Sequence, residues 1–282
     1  MRGRGGGGGG RGMGVPIAGG GGVVGIVITV LVLLLSGGSG GVSLPPAFEE
    51  LPAGEAAPSG AGDSVPGAPD PEKRTVQFIS FVLDDVQDFW TKQFDESGRK
   101  YPRAELVLFR DGVRTACGAA TSATGPFYCP GDQTAYLDLG FFSELARRFK
   151  APGDFAQAYV LAHEIAHHIQ KVTGVEGRVR EAQREDRDAI NELSVRLELQ
   201  ADCLAGVWGH STYERGILEA GDLEEGLTAA SAIGDDRIQK EATGRVDPHT
   251  FTHGTSEQRM RWFRTGFDTG DPERCDTFSG DV

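Results

Sequence analysis

The sequence predicts an α+β fold, mainly helical with a small β-sheet, preceded by one transmembrane helix and a flexible linker. Three observations lead to this prediction. An uncharged apolar run lies near the N-terminus, a Gly- and Pro-rich segment follows it, and the remainder shows helical periodicity with a few strand-like runs. The 282 residues thus divide at residues 14, 36 and 73, and only residues 74–282 can bury a core.

The first 73 residues are predicted to attach the chain to a membrane. Residues 1–14 form a Gly/Arg-rich tail whose three arginines are typical of a cytoplasmic flank. Residues 15–36 carry no charge and are long enough to cross roughly 30 Å of hydrocarbon. They indicate a single-pass signal anchor, with a cleaved signal peptide as the alternative. Residues 37–73 are a flexible linker, so residues 74–282 are expected outside the cytoplasm.

The net charge limits the class of partner, and the cysteines indicate the compartment. The formal net charge of −13 argues against nucleic acid as the main partner. Cys117 and Cys129 flank a loop rich in Gly, Ser and Thr, and a bridge between them would be worth about 3 kcal/mol. Cys203 and Cys275 then pair by elimination, which suits an extracytoplasmic compartment. Four buried free thiols are the alternative.

The periodicity of the C-terminal part sets out its elements. Apolar residues at helical spacing predict an amphipathic helix over 75–94 and further helices over 141–149 and 222–240. Apolar runs of strand character predict strands over 104–110 and 135–139. Helices therefore outnumber strands, as in a mainly helical α+β domain.

The segment HEIAHH, residues 163–168, lies within a further predicted helix. That helix is expected to begin at Asp154, which can cap it with Gln157 three residues on. His163 and His167 are four residues apart, about 40° of rotation and roughly 6 Å of rise, so both imidazoles share one face. His168 lies about 140° from His163 and is not counted as a ligand.

Two imidazoles on one helix face can bind one Zn²⁺ at about 2.0–2.1 Å. Glu164 projects beside that face, where a carboxylate can take a proton from water that the metal acidifies. The alternative is an ordinary polar helix face. The small apolar residues that flank the two histidines favour a dry metal site or a packed core over a solvated surface.

Glu198 and Asp202 lie four residues apart on a later predicted helix, among small apolar residues. Burying an unpaired carboxylate is costly, and a metal site supplies a reason for it. Glu198 is therefore predicted to be the third ligand. Asp202 is predicted to hold a ligand histidine in one tautomer. Salt bridges to Arg196 or Arg261 are the alternative.

The last predicted helix begins after Thr255, which can cap it with Gln258 three residues on. His253 stands just before this cap and Arg259 lies one turn inside the helix. Both can project from the helix start towards an oxyanion. A surface histidine and a structural arginine are the alternative.

Four segments together carry a resemblance to a known family: GPFYCPGDQTAYLDLGFF, GDFAQAYVLAHEIAHHIQ, RLELQADCLAGVW and HGTSEQRMRWF. They resemble the bacterial putative neutral zinc metallopeptidase family, over roughly residues 74–280. That family is in turn similar to the gluzincin zinc proteases. The resemblance implies a zincin-like fold in which AYLDL, residues 135–139, is an edge strand able to pair with extended substrate.

The resemblance also implies roles for individual residues. It assigns zinc ligation to His163, His167 and Glu198, and the catalytic base to Glu164. The stretch from His253 to Arg259 is similar to a His-Pro-to-Arg stretch in membrane-linked heat-shock and prenyl-protein metalloproteases. Gly254 stands here in place of that proline.

These inferences predict a membrane-anchored, Zn²⁺-dependent endopeptidase that cleaves protein or peptide substrates outside the cytoplasm. His253, Arg259 or Tyr128 would stabilise the oxyanion, and such a donor contributes about 2.7–4 kcal/mol. A zinc-stabilised binding module without turnover is one alternative. A hydrolase acting on another amide, such as a cell-wall peptide, is a second.

Overall fold

A computed structural model describes residues 71–282. This part of the chain is mainly helical with a small sheet, as the sequence predicts. None of its helices is both long and apolar enough to cross a bilayer. The predicted span over residues 15–36, the tail before it and residues 37–70 of the predicted linker lie outside the described residues.

The helices are α1 Pro71–Glu96, α2 Phe141–Arg147, α3 Asp154–Val172, α4 Val175–Glu185, α5 Ile190–Glu214, α6 Asp222–Ala232, α7 Asp235–Thr243 and α8 Ser256–Thr269. The strands are β1 Glu105–Phe109, β2 Gly112–Thr115, β3 Gly118–Thr121, β4 Phe127–Cys129 and β5 Thr134–Asp138. Short 3₁₀ turns occupy Ser122–Thr124, Pro248–Thr250 and Pro272–Cys275.

Three strands form one sheet in the order β1-β5-β4, with β5 parallel to β1 and antiparallel to β4. The expectation that residues 135–139 form an edge strand is wrong, because β5 is central and buried along its whole length. Ala135 and Leu137 join the main core, whereas Tyr136 joins a second cluster, so both faces of β5 are covered. The edge strand that contacts α3 is β4. It lies in the segment between Cys117 and Cys129, which the sequence predicts to be a loop.

Helix α3 runs through the main core and packs against α1, α5 and α6. Helices α5 and α8 approach closely through a pair of glycines. A Cβ atom at Gly206 would lie 2.0 Å from the carbonyl oxygen of Phe263, and one at Gly266 would lie 1.9 Å from that of Cys203. Because the two backbones touch at these glycines, side chains on the neighbouring turns of α8 can reach α5.

Both predicted disulfides are confirmed. The bridge between Cys117 and Cys129 ties the β2–β3 turn to β4. The bridge between Cys203 and Cys275 ties α5 to the C-terminal segment.

The single helix predicted over 222–240 is wrong, because it breaks into α6 and α7 at Gly234. A Cβ atom at Gly234 would lie 2.3 Å from the backbone nitrogen of Ser256, so the close approach of that segment requires glycine. The break places Asp235 and Asp236 at the start of α7, facing the chain that leads into α8.

Candidate metal centre

Three potential metal ligands from two helices meet in the core. His163 and His167 come from α3, and Glu198 comes from α5. The Nε2 atom of His163 lies 3.2 Å from one carboxylate oxygen of Glu198, and the Nε2 atom of His167 lies 3.5 Å from the other. Tetrahedral zinc with bonds of about 2.0–2.1 Å separates its ligand atoms by about 3.3 Å. The spacing and chemistry of these donors therefore fit Zn²⁺.

The imidazole of His163 is oriented by Asp202. The Nδ1 atom of His163 lies 2.9 Å from a carboxylate oxygen of Asp202, which can only accept a hydrogen bond. In the neutral imidazole Nδ1 therefore carries the proton, which leaves Nε2, directed at the ligand cluster, to bind a metal. This is the position that the sequence predicts for Asp202.

The imidazole of His167 is oriented by Gln170, which the sequence analysis missed. Nδ1 of His167 lies 2.8 Å from the side-chain oxygen of Gln170. The amide of Gln170 is itself fixed, because its NH₂ group donates to the carbonyl oxygen of Leu197 at 2.7 Å and to Gln200 at 3.2 Å. The sequence signal for this contact is the spacing of three residues between His167 and Gln170, which places both side chains on one face of the helix.

Asp202 is fully buried and Arg259 is 1% exposed. The guanidinium donates to both carboxylate oxygens at 2.8 Å, from Nε and from one terminal nitrogen. Its other terminal nitrogen donates to the carbonyl oxygen of Ile233 at 3.3 Å, and the hydroxyl of Tyr159 donates to Asp202 at 2.5 Å. All three guanidinium nitrogens have protein acceptors, and Arg259 also lines the cavity beside the ligands, so its predicted contact with an oxyanion stays a prediction. The alternative pairing of Asp202 with Arg196 or Arg261 does not occur.

The protein environment favours the deprotonated, metal-binding form of His167 and Glu198, but not of His163. Burial lowers the pKa of His167 to about 4, so its imidazole is neutral at pH 7. Burial alone would raise the pKa of Glu198, but His167 and His163 outweigh it and keep that pKa well below its usual range. Burial likewise opposes a charge on His163, yet Asp202 raises its pKa to about 9. A metal binding there therefore displaces a proton.

Glu164 lies beside the ligands and lines the same cavity, which has a volume of about 200 Å³. Burial raises the pKa of Glu164 to about 7, with a smaller contribution from the charge of Glu198. A carboxylate with a pKa near 7 can accept and return a proton at neutral pH.

His253 also lines this cavity. Its Nδ1 atom lies 3.0 Å from Asp235, which leaves Nε2 for the cavity. Asp235 also accepts the backbone N–H groups of Thr252, His253 and Gly254 at 2.7, 2.7 and 3.2 Å. Sequence reasoning missed Asp235 because its position depends on the break between α6 and α7. Gly254 has a φ of 90°, which proline cannot adopt.

Tyr128 lines the cavity from β4, but its hydroxyl hydrogen points elsewhere. The ring of His168 donates from Nε2 to the carbonyl oxygen of Pro102 at 2.6 Å, so its Nδ1 is an acceptor. The hydroxyl of Tyr128 donates to that Nδ1 at 2.8 Å. Tyr128 therefore does not fit the predicted role of oxyanion donor.

Comparison with known proteins identifies one family. The model of the family described as "Putative neutral zinc metallopeptidase" matches residues 1–278. "Uncharacterized protein YpfJ" of Escherichia coli (strain K12) is 52% identical over 212 residues, which cover 75% of this chain and 74% of that protein. "Uncharacterized protein Rv2575" of Mycobacterium tuberculosis (strain ATCC 25618 / H37Rv) is 48% identical over 190 residues, or 64% of each. No solved structure matches the chain.

Proposed function

We propose that this chain, which belongs to the putative neutral zinc metallopeptidase family, is a zinc-dependent endopeptidase. One observation carries the proposal. His163, His167 and Glu198 present their ligand atoms at zinc spacing, and Asp202 and Gln170 fix the two imidazoles. A zinc ion held there would polarise a peptide carbonyl and acidify water.

Glu164 is the proposed general base. It would take a proton from the water that attacks the carbonyl and pass it to the leaving nitrogen. Its burial beside the ligands supports this role, because burial brings its pKa close to neutrality. No other carboxylate on α3 shares this cavity within the described residues.

His253 is the proposed oxyanion donor. Burial opposes its protonation, but Asp235 outweighs this and raises its pKa, so the imidazolium form is favoured more than in a free histidine. The Nε2 atom can then donate a hydrogen bond into the cavity, worth about 2.7–4 kcal/mol in the transition state. For Arg259 the contacts support a positioning role, because its guanidinium holds Asp202, which in turn holds His163.

The edge of β4 is the proposed place for extended substrate, in place of β5. Phe127 and Tyr128 line the cavity, and β4 pairs on one side only among the strands described. An extended peptide can add to such an edge through main-chain hydrogen bonds. Pro126 and Pro130 flank the strand and limit that pairing to a few residues.

The proposed location is a cell membrane, with the N-terminus cytoplasmic and the catalytic domain outside the cytoplasm. The uncharged run over residues 15–36 supports the anchor. The two disulfides support an oxidising compartment for the domain.

The test compares the full-length protein with its Glu164→Gln variant, both loaded with zinc. We expect equal zinc content, and cleavage of an unstructured protein by the parent alone, with cut sites read by mass spectrometry. Undiminished cleavage by the variant would remove Glu164 as the base. Zinc binding without cleavage by the parent would favour the binding module.

A further inference from the structure

His168, the third histidine of HEIAHH, is fully buried and takes no part in the ligand cluster. Both ring nitrogens have partners: Nε2 donates to Pro102, and Nδ1 accepts from Tyr128. The rings of Tyr101 and Tyr128 each lie 5.5 Å from the imidazole, centroid to centroid, in edge-on geometry. These contacts fix one tautomer and one orientation of the ring.

The two partners of His168 lie in or next to the two edge strands of the three-stranded sheet. Pro102 lies just before β1, and Tyr128 lies within β4. His168 itself lies on α3, next in sequence to the ligand His167. A single imidazole therefore joins both edges of the sheet to the helix that carries the metal ligands.

Strand β4 has few hydrogen-bonded attachments besides this contact. It is three residues long and pairs with β5 on one side only. The disulfide at Cys129 holds it to the β2–β3 turn, which is not part of the metal centre. Among the hydrogen bonds of the described side chains, only that of Tyr128 joins β4 to α3.

We propose that His168 is a positioning residue, which sets the distance between the substrate-binding edge of β4 and the metal centre. The proposal rests on the function proposed above, because it assigns substrate to β4. A peptide paired with β4 reaches the metal in the right place only if β4 is fixed to α3. A displacement of about 1 Å at such a site can lower the rate about 100-fold.

The test uses the full-length, zinc-loaded protein with Tyr128→Phe, which deletes one hydroxyl, and His168→Leu, which removes both hydrogen bonds. His168→Gln is the conservative variant, because an amide can donate to Pro102 and accept from Tyr128. The matched control is Tyr136→Phe on β5, whose hydroxyl donates to Asp132 instead. Zinc content, amide exchange of β4, and kcat and KM for an extended peptide are measured.

We expect Tyr128→Phe and His168→Leu to retain zinc, exchange the β4 amides faster, raise KM and lower kcat for the extended peptide, so that kcat/KM falls by up to about 100-fold. His168→Gln should recover most of the loss, and Tyr136→Phe should change neither KM nor exchange in β4. Unchanged exchange or unchanged KM in both disrupting variants would overturn the proposal. So would loss of zinc from Tyr128→Phe, since the contact would then serve the metal.

An inactive parent protein would contradict the proposed peptidase, but it would not decide the role of His168. In that case two measurements test the role of His168: amide exchange of β4, and binding of an uncleaved extended peptide to the zinc-loaded protein. Faster exchange with weaker binding in Tyr128→Phe supports the positioning role. Parental exchange or parental binding in that variant contradicts it.

Discussion

Two groups of three potential metal ligands each include residues of α3, and the two groups differ in their surroundings. One is His163, His167 and Glu198, midway along the helix. The other is the acidic group of Asp154, Asp222 and Glu225 at its start. In both groups the ligand atoms lie within 4.8 Å of one another. Two residues of each group are partly buried, but the third is buried in the first group (His163) and exposed in the acidic group (Asp154).

Two carboxylates of the acidic group already accept backbone N–H groups near the starts of helices. Glu225 accepts the backbone N–H of Phe155 at 3.3 Å, and Asp222 accepts that of Glu219 at 2.8 Å. The prediction that Asp154 caps α3 is wrong: Gly153, with a φ of 125°, is the N-cap residue, and Glu225 of α6 supplies the acceptor. Negative charge at this end also suits the helix dipole.

The difference shows that proximity alone does not make a metal site. In the midway group, Asp202 and Gln170 bind the Nδ1 atoms of the two imidazoles, so both Nε2 atoms point to the centre. In the acidic group three carboxylates repel one another, and at least two hold backbone N–H groups.

The sharpest contrast between the groups comes from neutralising one carboxylate in each. Glu198→Gln removes a ligand, and we expect the protein to lose bound zinc and all cleavage. Glu225→Gln removes the same charge from the acidic group, and we expect parental zinc content. Zinc stoichiometry of the folded variants, with circular dichroism to verify folding, makes the comparison. Equal zinc loss in both, or loss in Glu225→Gln alone, would reverse the assignment.

A smaller effect is expected from the groups that orient the imidazoles. Gln170→Met keeps the side-chain size but removes the acceptor for His167, and we expect zinc affinity to fall about 10–100-fold. Gln183→Met is the control, because Gln183 is also buried but bonds to Ile190 and Ser194 of α5. Competition with a chelator gives both affinities. An equal loss in the control would mean that packing, and not orientation, sets the affinity.

Local spacing predicted much of the centre. His163, Glu164 and His167 follow from one helix turn, and the spacing of Glu198 and Asp202 follows from another. Gln170 obeys the same local rule, but a neutral side chain three residues from a ligand carries no charge to single it out.

Parts of the site that depend on tertiary structure could not be predicted. The pairing of Arg259 with Asp202 requires the close α5–α8 contact at Gly206 and Gly266, which periodicity does not reveal. Asp235 reaches His253 only because the chain breaks at Gly234. Which strand forms the sheet edge depends on pairing between distant segments, so the family resemblance predicts β5 as the edge where the structure has β4.

The most direct measurement is anomalous diffraction at the zinc absorption edge from crystals of the zinc-loaded protein. We predict one strong peak between the Nε2 atoms of His163 and His167 and the carboxylate of Glu198, and none beside Asp154, Asp222 and Glu225. A peak at the acidic group alone, or no peak between the two histidines, would contradict the assignment of the metal centre.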